Sequence, residues 1–385
     1  MTICLALFMT MLLLMGILML SNVTVSKRLA KCFLVFSFCF FVAFSIFFEP
    51  QSFIRWDLIE HFKLIDEMRK GGVEFALKES QYADLYVYNF FAYFISLLPK
   101  STENLLSVVP LFVDFLIVGY IYRKMFSVYI SEADGRTRVL SVFFWLTTFG
   151  IKLAITGIRC SLAVSLCALA IFLELIQKKR KIFSLFLYVV AVFVHNFALV
   201  VILVRVLAVI KKPILTMLLA LVTSFSLESL ARYMVDNIDN EYLSFSFQRI
   251  LDTVEKMGMD SALENFHGST LIIYGCFICI SIYLFVISVN AKKRYEKSEY
   301  CRGVIAFTST VGAVAIGLSF NYLYLERFMY LVSFALLMIT PIYRKKGRTA
   351  NVAEFIAIPM TFFVFFFNDI YLFMVNYVGS YFLAI

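Results

Sequence analysis

The chain has 385 residues, of which 62% are hydrophobic, 17% aromatic and only 16% charged. A soluble domain carries roughly a quarter charged residues, so this composition excludes a soluble globular protein and points to an integral membrane protein with many spans. The net charge of +9 does not argue for nucleic-acid binding, because Lys and Arg fall in short clusters between apolar runs, as the positive-inside rule requires.

The first apolar run, 3–22, has no basic segment before it and Lys27, Arg28 and Lys31 after it. It reads as an uncleaved span with its N-terminus outside. Further runs lie at 31–48, 84–99, 105–122, 139–157, 159–176, 183–210 (with a break), 213–227, 269–290, 303–323, 328–343, 352–368 and 370–385. Glycine and proline are sparse, 15 and 6 residues, which favours helices over a barrel. The expected fold is an all-α, polytopic helical bundle of about 11–13 hydrophobic helices, some of them re-entrant, forming a single membrane domain over 1–385. Two longer polar segments, about 49–83 and 228–268, carry mixed charge and are assigned outside, while the basic clusters go to the cytoplasm.

Two segments disturb this alternation. The run at 85–98 is too short for an ordinary span and reads as re-entrant or interfacial. Lys181 and Lys211 should share a side, yet too few residues separate them for two full crossings at about 1.5 Å per residue. A helix pair turning back near His195-Asn196 fits, and so does one long crossing that leaves Lys211 outside. Of the eight cysteines, Cys276 and Cys279 have CxxC spacing but lie inside an apolar run, which reads as packing.

The residues that carry chemistry are ionisable groups beside or inside apolar runs, where charge is expensive. Arg159 opens a helix after Gly157, opposite the basic knot Lys178–Lys181. A guanidinium there can clamp a phosphate with two parallel hydrogen bonds, or simply snorkel to the membrane edge. His195 ends an uncharged stretch and can serve as base or phosphate donor, or be a hydrogen-bonded core histidine. Arg55, Asp57, Glu60 and His61 cluster just past the second run, and on a helix Asp57 and His61 share a face. Trp56 there can stack on a sugar ring. Glu326-Arg327 is placed at the outer start of a span, as an acid–base or structural pair. Arg232 and Arg249, with Tyr242, Phe245 and Phe247, lie in the second polar segment as a weaker sugar platform. All three histidines, His61, His195 and His267, fall on one side. No nucleotide-binding or metal-ligand spacing is present.

Two motifs resemble the EpsG/Wzy-type bacterial polysaccharide polymerases, which make O-antigens and exopolysaccharides. They are Ile158-Arg159-Cys160-Ser161-Leu162-Ala163 and, beyond the basic knot, Phe193-Val194-His195-Asn196-Phe197-Ala198-Leu199. Family members commonly carry Gln after the arginine and Ser after the histidine, where this chain has Cys160 and Asn196. Asp57 after the second span, and Arg327 and Tyr330 followed by Pro341, extend the similarity. The resemblance implies a glycosyltransferase at the outer face of the bacterial inner membrane. It would move glycan from undecaprenyl diphosphate to the non-reducing end of another lipid-linked unit, without a cofactor, nucleotide sugar or essential metal. It also implies membrane lipids, a chain-length regulator and a flippase of the same pathway as partners, and no nucleic acid. The candidate catalytic residues are Asp57, His195 and Arg159; the candidate substrate-binding residues are Arg55, Arg327, Glu326, His61 and Arg249. A ligase, a flippase of lipid-linked sugars and a partner subunit of a synthesis complex are the competing readings.

Overall fold

A computed structural model describes residues 2–21, 24–47, 57–79, 85–150, 154–155, 157–178, 181–237, 248, 268–292, 299–319, 321–344 and 352–367. Among them the regular structure is helical, without strands. Five helices are long and apolar enough to cross a membrane and six shorter ones are apolar, so this is a multi-pass membrane bundle. Residues 370–385, expected as a last helix, lie outside the described residues.

Helices α1 (Thr2–Leu20) and α2 (Leu29–Ile46) pack through phenylalanines, with Phe8 stacked on Phe40 at 4.1 Å between centroids. Next comes α3 (Asp57–Glu74), which is amphipathic rather than apolar. Leu58, His61, Ile65 and Met68 follow helical spacing and are buried, while Glu60, Lys63, Glu67 and Lys70 are exposed. Helix α4 (Tyr86–Ser96) has 11 residues, about 16 Å, too short to span. Asn89 on α4 donates to the Ala76 carbonyl at 3.0 Å, holding α4 to the turn after α3. Arg69 bonds Asp66 and Glu103, tying α3 to the start of α5 (Leu105–Lys124). The α3–α4 pair therefore lies across one end of the bundle, as the interfacial reading of 85–98 expects.

Helix α6 (Gly135–Phe149) begins at Gly135, where a Cβ would stand 1.9 Å from the Val25 carbonyl oxygen, so only glycine fits. It ends at Gly150, whose φ of 72° breaks the helix; the apolar run extends to 157, but the helix does not. Helix α7 (Ile158–Phe172) follows, then α8 (Lys181–Val194) and α9 (Phe197–Ile210), 14 residues each. At about 21 Å, neither crosses a full hydrocarbon core. Glu174, just beyond α7, settles their direction. It accepts hydrogen bonds from Tyr188 of α8 at 3.2 Å and from Arg205 of α9 at 2.6 Å. Both helices thus run beside the same end of α7, and Lys211 returns to the end where α8 began. The pair is a hairpin with His195 at its tip; the single long crossing does not occur.

Helices α10 (Pro213–Asn237), α11 (Gly268–Lys292), α12 (Glu299–Gly317), α13 (Tyr322–Tyr343) and α14 (Val352–Val364) complete the bundle. Helix α10 runs to Asn237, ten residues past the run that ends at 227, into the segment expected as loop. Helix α13 starts at Tyr322 rather than at 328, because the Asn321 side chain accepts from the Tyr324 N–H at 3.2 Å and caps it. Glu326 and Arg327 consequently sit in its second turn, not at its first residue. Helix α13 is buried almost throughout, and its Tyr330 meets Phe149 of α6 edge-on at 5.2 Å. Helix pairs in lipid gain from close packing rather than from water release. Gly312 of α12 serves that purpose, since a Cβ there would lie 2.8 Å from the Phe285 backbone nitrogen of α11.

The bundle has two unlike ends. One gathers Arg123 and Lys124, Lys178, Lys211, Lys292 and Arg344 at helix C-termini. The other holds α3, α4 and the hairpin tip.

Candidate functional site

Arg159 is the second residue of α7, and Ile158 beside it packs into a small core formed by Leu64, Ile65 and Met68 of α3 and Tyr88 of α4. The α3–α4 cap therefore rests on the helix start that carries the arginine. The Arg159 guanidinium carbon lies 5.2 Å from the centroid of the Tyr88 ring. A cation over an aromatic face gains about 0.5–2 kcal/mol, depending on its desolvation. The contact also fixes where the guanidinium points.

Tyr88 has a second contact. Its hydroxyl is 2.7 Å from Nδ1 of His61, and the two rings are 5.2 Å apart. Both residues are buried. Burial, with the Arg159 charge as the lesser cause, pushes the His61 imidazole well below its ordinary range. His61 is therefore neutral at pH 7.

His195, half-buried, arrives from the other side on the hairpin tip. Its Nδ1 accepts a hydrogen bond from the Phe197 backbone N–H at 3.0 Å, capping α9. That contact assigns the proton of the neutral ring to Nε2. The free edge of the ring is thus an N–H donor. The charges of Arg159 and Arg327 and the ring of His61 all reach this imidazole electrostatically. Phe197 packs edge-on against Phe328 at 6.4 Å, and Phe193 lies 5.6 Å from Tyr86. These ring contacts tie the tip to α13 and to α4. Arg327 is half-buried beside Tyr324, and Glu326 is buried next to it in the chain.

The structure thus brings together four of the residues singled out from sequence: Arg159, His61, His195 and Arg327. Three helix starts, those of α7, α9 and α13, point their N–H ends toward this region, and such ends favour anions. Asp57 begins α3, one turn before His61. Arg55, Trp56, Arg249, Tyr242, Phe245, Phe247 and His267 lie outside the described residues. Arg232 is exposed on α10. Cys276 is buried and Cys279 partly so, both as free thiols within α11.

Two residues escaped the sequence reading. Tyr88 had no signal of its own, being one aromatic among many in a short apolar run; only the tertiary packing of α3 on α4 gives it a partner. Asp114 did have a signal, a carboxylate in the middle of the apolar α5. It is fully buried, facing Ser161 and Ser165 of α7, about half a turn and a little under two turns beyond Arg159. Among the described residues no group of three His, Cys, Asp or Glu side chains is arranged to hold a metal ion.

Neither a curated protein nor a solved structure matches the chain. A family model does, the EpsG family, over residues 59–381, which includes α7, the hairpin and α13 and covers well over half of the sequence, so the chain belongs to the EpsG family.

Proposed function

We propose that this protein polymerises lipid-linked oligosaccharide units, transferring glycan from a polyprenyl diphosphate to the non-reducing end of another lipid-linked unit at the outer face of the membrane. Membership of the EpsG family places the chain in polysaccharide biosynthesis. The finer reaction rests on one observation: the charges of Arg159 and Arg327 both act on the His195 imidazole, whose Nδ1 is taken by the Phe197 N–H, at the end of the bundle away from the basic clusters.

The chemistry follows from that arrangement. The acceptor hydroxyl oxygen bonds to the donor's anomeric carbon while the bond from that carbon to the diphosphate oxygen breaks. Negative charge builds on the departing diphosphate. Arg159 and Arg327 take it up with charge-assisted hydrogen bonds, and His195 adds a neutral donor through Nε2. The hydroxyl proton passes to a base, and α3 supplies the candidates, the Asp57 carboxylate or the neutral His61. His195 is a poor base here, because its one lone-pair nitrogen already accepts from Phe197. Tyr88 aims both Arg159 and His61 without touching substrate.

Purified wild-type protein given synthetic diphosphate-linked repeat units should produce a ladder of longer glycans, and Arg159→Ala protein should not. Transbilayer movement of the lipid without chain growth would instead identify a flippase. Transfer of glycan to a non-identical acceptor alone would identify a ligase.

A further inference from the structure

A cavity of about 800 Å³ opens at the basic end, far from the site described above, between the α9–α10 junction, α11 and α12. Its rim carries Lys211, Lys212, Lys292 and Arg302, and among the described residues no acidic one lines it. The chain makes this rim in a simple way. Lys211 ends α9 in the left-handed conformation, φ 56°, and Pro213 opens α10 two residues later. The two lysines are thereby turned outward together. Lys292 closes α11, and Arg302 stands in the first turn of α12.

Other cations of the bundle are already matched. Arg138 donates to the backbone carbonyls of Ala133, Phe126 and Ser131. Arg205 pairs with Glu174, and Arg344 faces Glu354. The four rim cations have no ion-pair partner among the described residues. All four are exposed and share one cavity, so their like charges repel one another and an anion there relieves the repulsion.

The walls say which anion. Below the rim the lining is apolar, from Phe285, Val289 and Ile305. On the open side, Ile214 and Leu215 are 63% and 45% exposed, and Leu218 and Val222 continue that apolar face along α10. A charged mouth that leads onto a lipid-facing helix matches a molecule with a phosphate at one end and hydrocarbon at the other. We infer that this cavity binds the headgroup of an anionic phospholipid, its phosphate among the four cations and its chains along α10. The inference is independent of the proposed reaction.

The test uses the full-length protein in neutral detergent with phosphatidylglycerol, phosphatidylcholine or inorganic phosphate added separately. Retained lipid is read by native mass spectrometry and stabilisation by thermal melting. Wild type should retain phosphatidylglycerol in preference to phosphatidylcholine and melt higher with it. Lys211→Gln/Lys212→Gln/Lys292→Gln/Arg302→Gln should weaken that retention at least about tenfold, since each cation near anionic lipid contributes on the order of a fivefold factor. If that variant does not fold, Lys212→Gln/Arg302→Gln should show the same loss in smaller measure. Lys31→Gln/Arg123→Gln, exposed cations of the same end outside the cavity, should bind as wild type. Equal retention of phosphatidylcholine, equal stabilisation by inorganic phosphate, or equal loss in the Lys31/Arg123 variant would overturn the inference.

Discussion

The two ends of the bundle use the same residue types in opposite ways. At the basic end Lys211 and Lys292 stand at helix C-termini, where cations are electrostatically welcome, and Lys212 and Arg302, though beside helix starts, are exposed to solvent; none of the four has an ion-pair partner among the described residues. At the other end Arg159 and Arg327 stand near helix starts, where the helix dipole opposes them, and are half-buried. Cations kept against both the dipole and desolvation need compensation. Tyr88 supplies part of it to Arg159 through its ring. An anionic substrate adds to it in this account. The lesson is that the informative cation is the one in the costly place, not the one in the numerous cluster.

Removing those costly cations is the strongest way to break the contrast. Arg159→Ala should reduce chain growth by about 10²–10³, the usual loss when a charge-stabilising donor is removed. Arg159→Lys should recover only a little of it, because one ammonium cannot form the two-pronged contact. The matching loss of a basic-end cation, Lys212→Gln, should leave chain growth within about twofold.

His195 sharpens the same contrast, because it distinguishes a donor from a base. His195→Gln places an N–H near the position of Nε2 and should keep activity within about tenfold of wild type, whereas His195→Ala should lose about 10–100-fold. A His195→Gln variant as inactive as the alanine one would show that the ring moves a proton. Tyr88 comes next in size. Tyr88→Phe keeps the ring under Arg159 but drops the bond to His61, and should slow chain growth a few-fold. Tyr88→Leu removes both and should slow it by about a further tenfold.

How far this was readable beforehand differs between elements. At His195 a hairpin turn and one long crossing both fitted the sequence, whereas the bundle class and the Arg159 helix start were legible, because apolar run length, basic clusters and one misplaced charge are local signals. The direction of α9 was not. It depends on Glu174 meeting Arg205, a pairing 31 residues apart that no spacing rule predicts. The start of α13 was placed six residues late, because the polar Asn321 cap and the mixed Tyr322–Arg327 turn do not look apolar. Tyr88 was invisible for the reason given by the second core: its partners come from α3 and α7.

The smallest effects concern stability. Glu174→Gln weakens the bonds holding both hairpin helices and should lower the stability of a part-exposed pair by about 1 kcal/mol, read as a lower melting temperature. His61 gives a pH signature. Its folded-state imidazole titrates well below the unfolded one, so below about pH 6.5 the unfolded chain takes up a proton that the folded chain refuses. Stability is complete above that pH and falls as the pH drops, by at most about 1.4 kcal/mol per pH unit from this group. His61→Gln should melt with a shallower decline between pH 7.5 and 5.5; an unchanged decline would mean that other groups carry it.

The central claim is that the cations of the costly end grip the diphosphate of a lipid-linked sugar. Its most direct measurement is glycan chain length from purified Arg159→Ala and Arg327→Ala proteins whose melting temperatures match wild type, supplied with synthetic diphosphate-linked repeat units. The account predicts unextended single units from Arg159→Ala and strongly shortened chains from Arg327→Ala. Chains of wild-type length from either folded variant would contradict it.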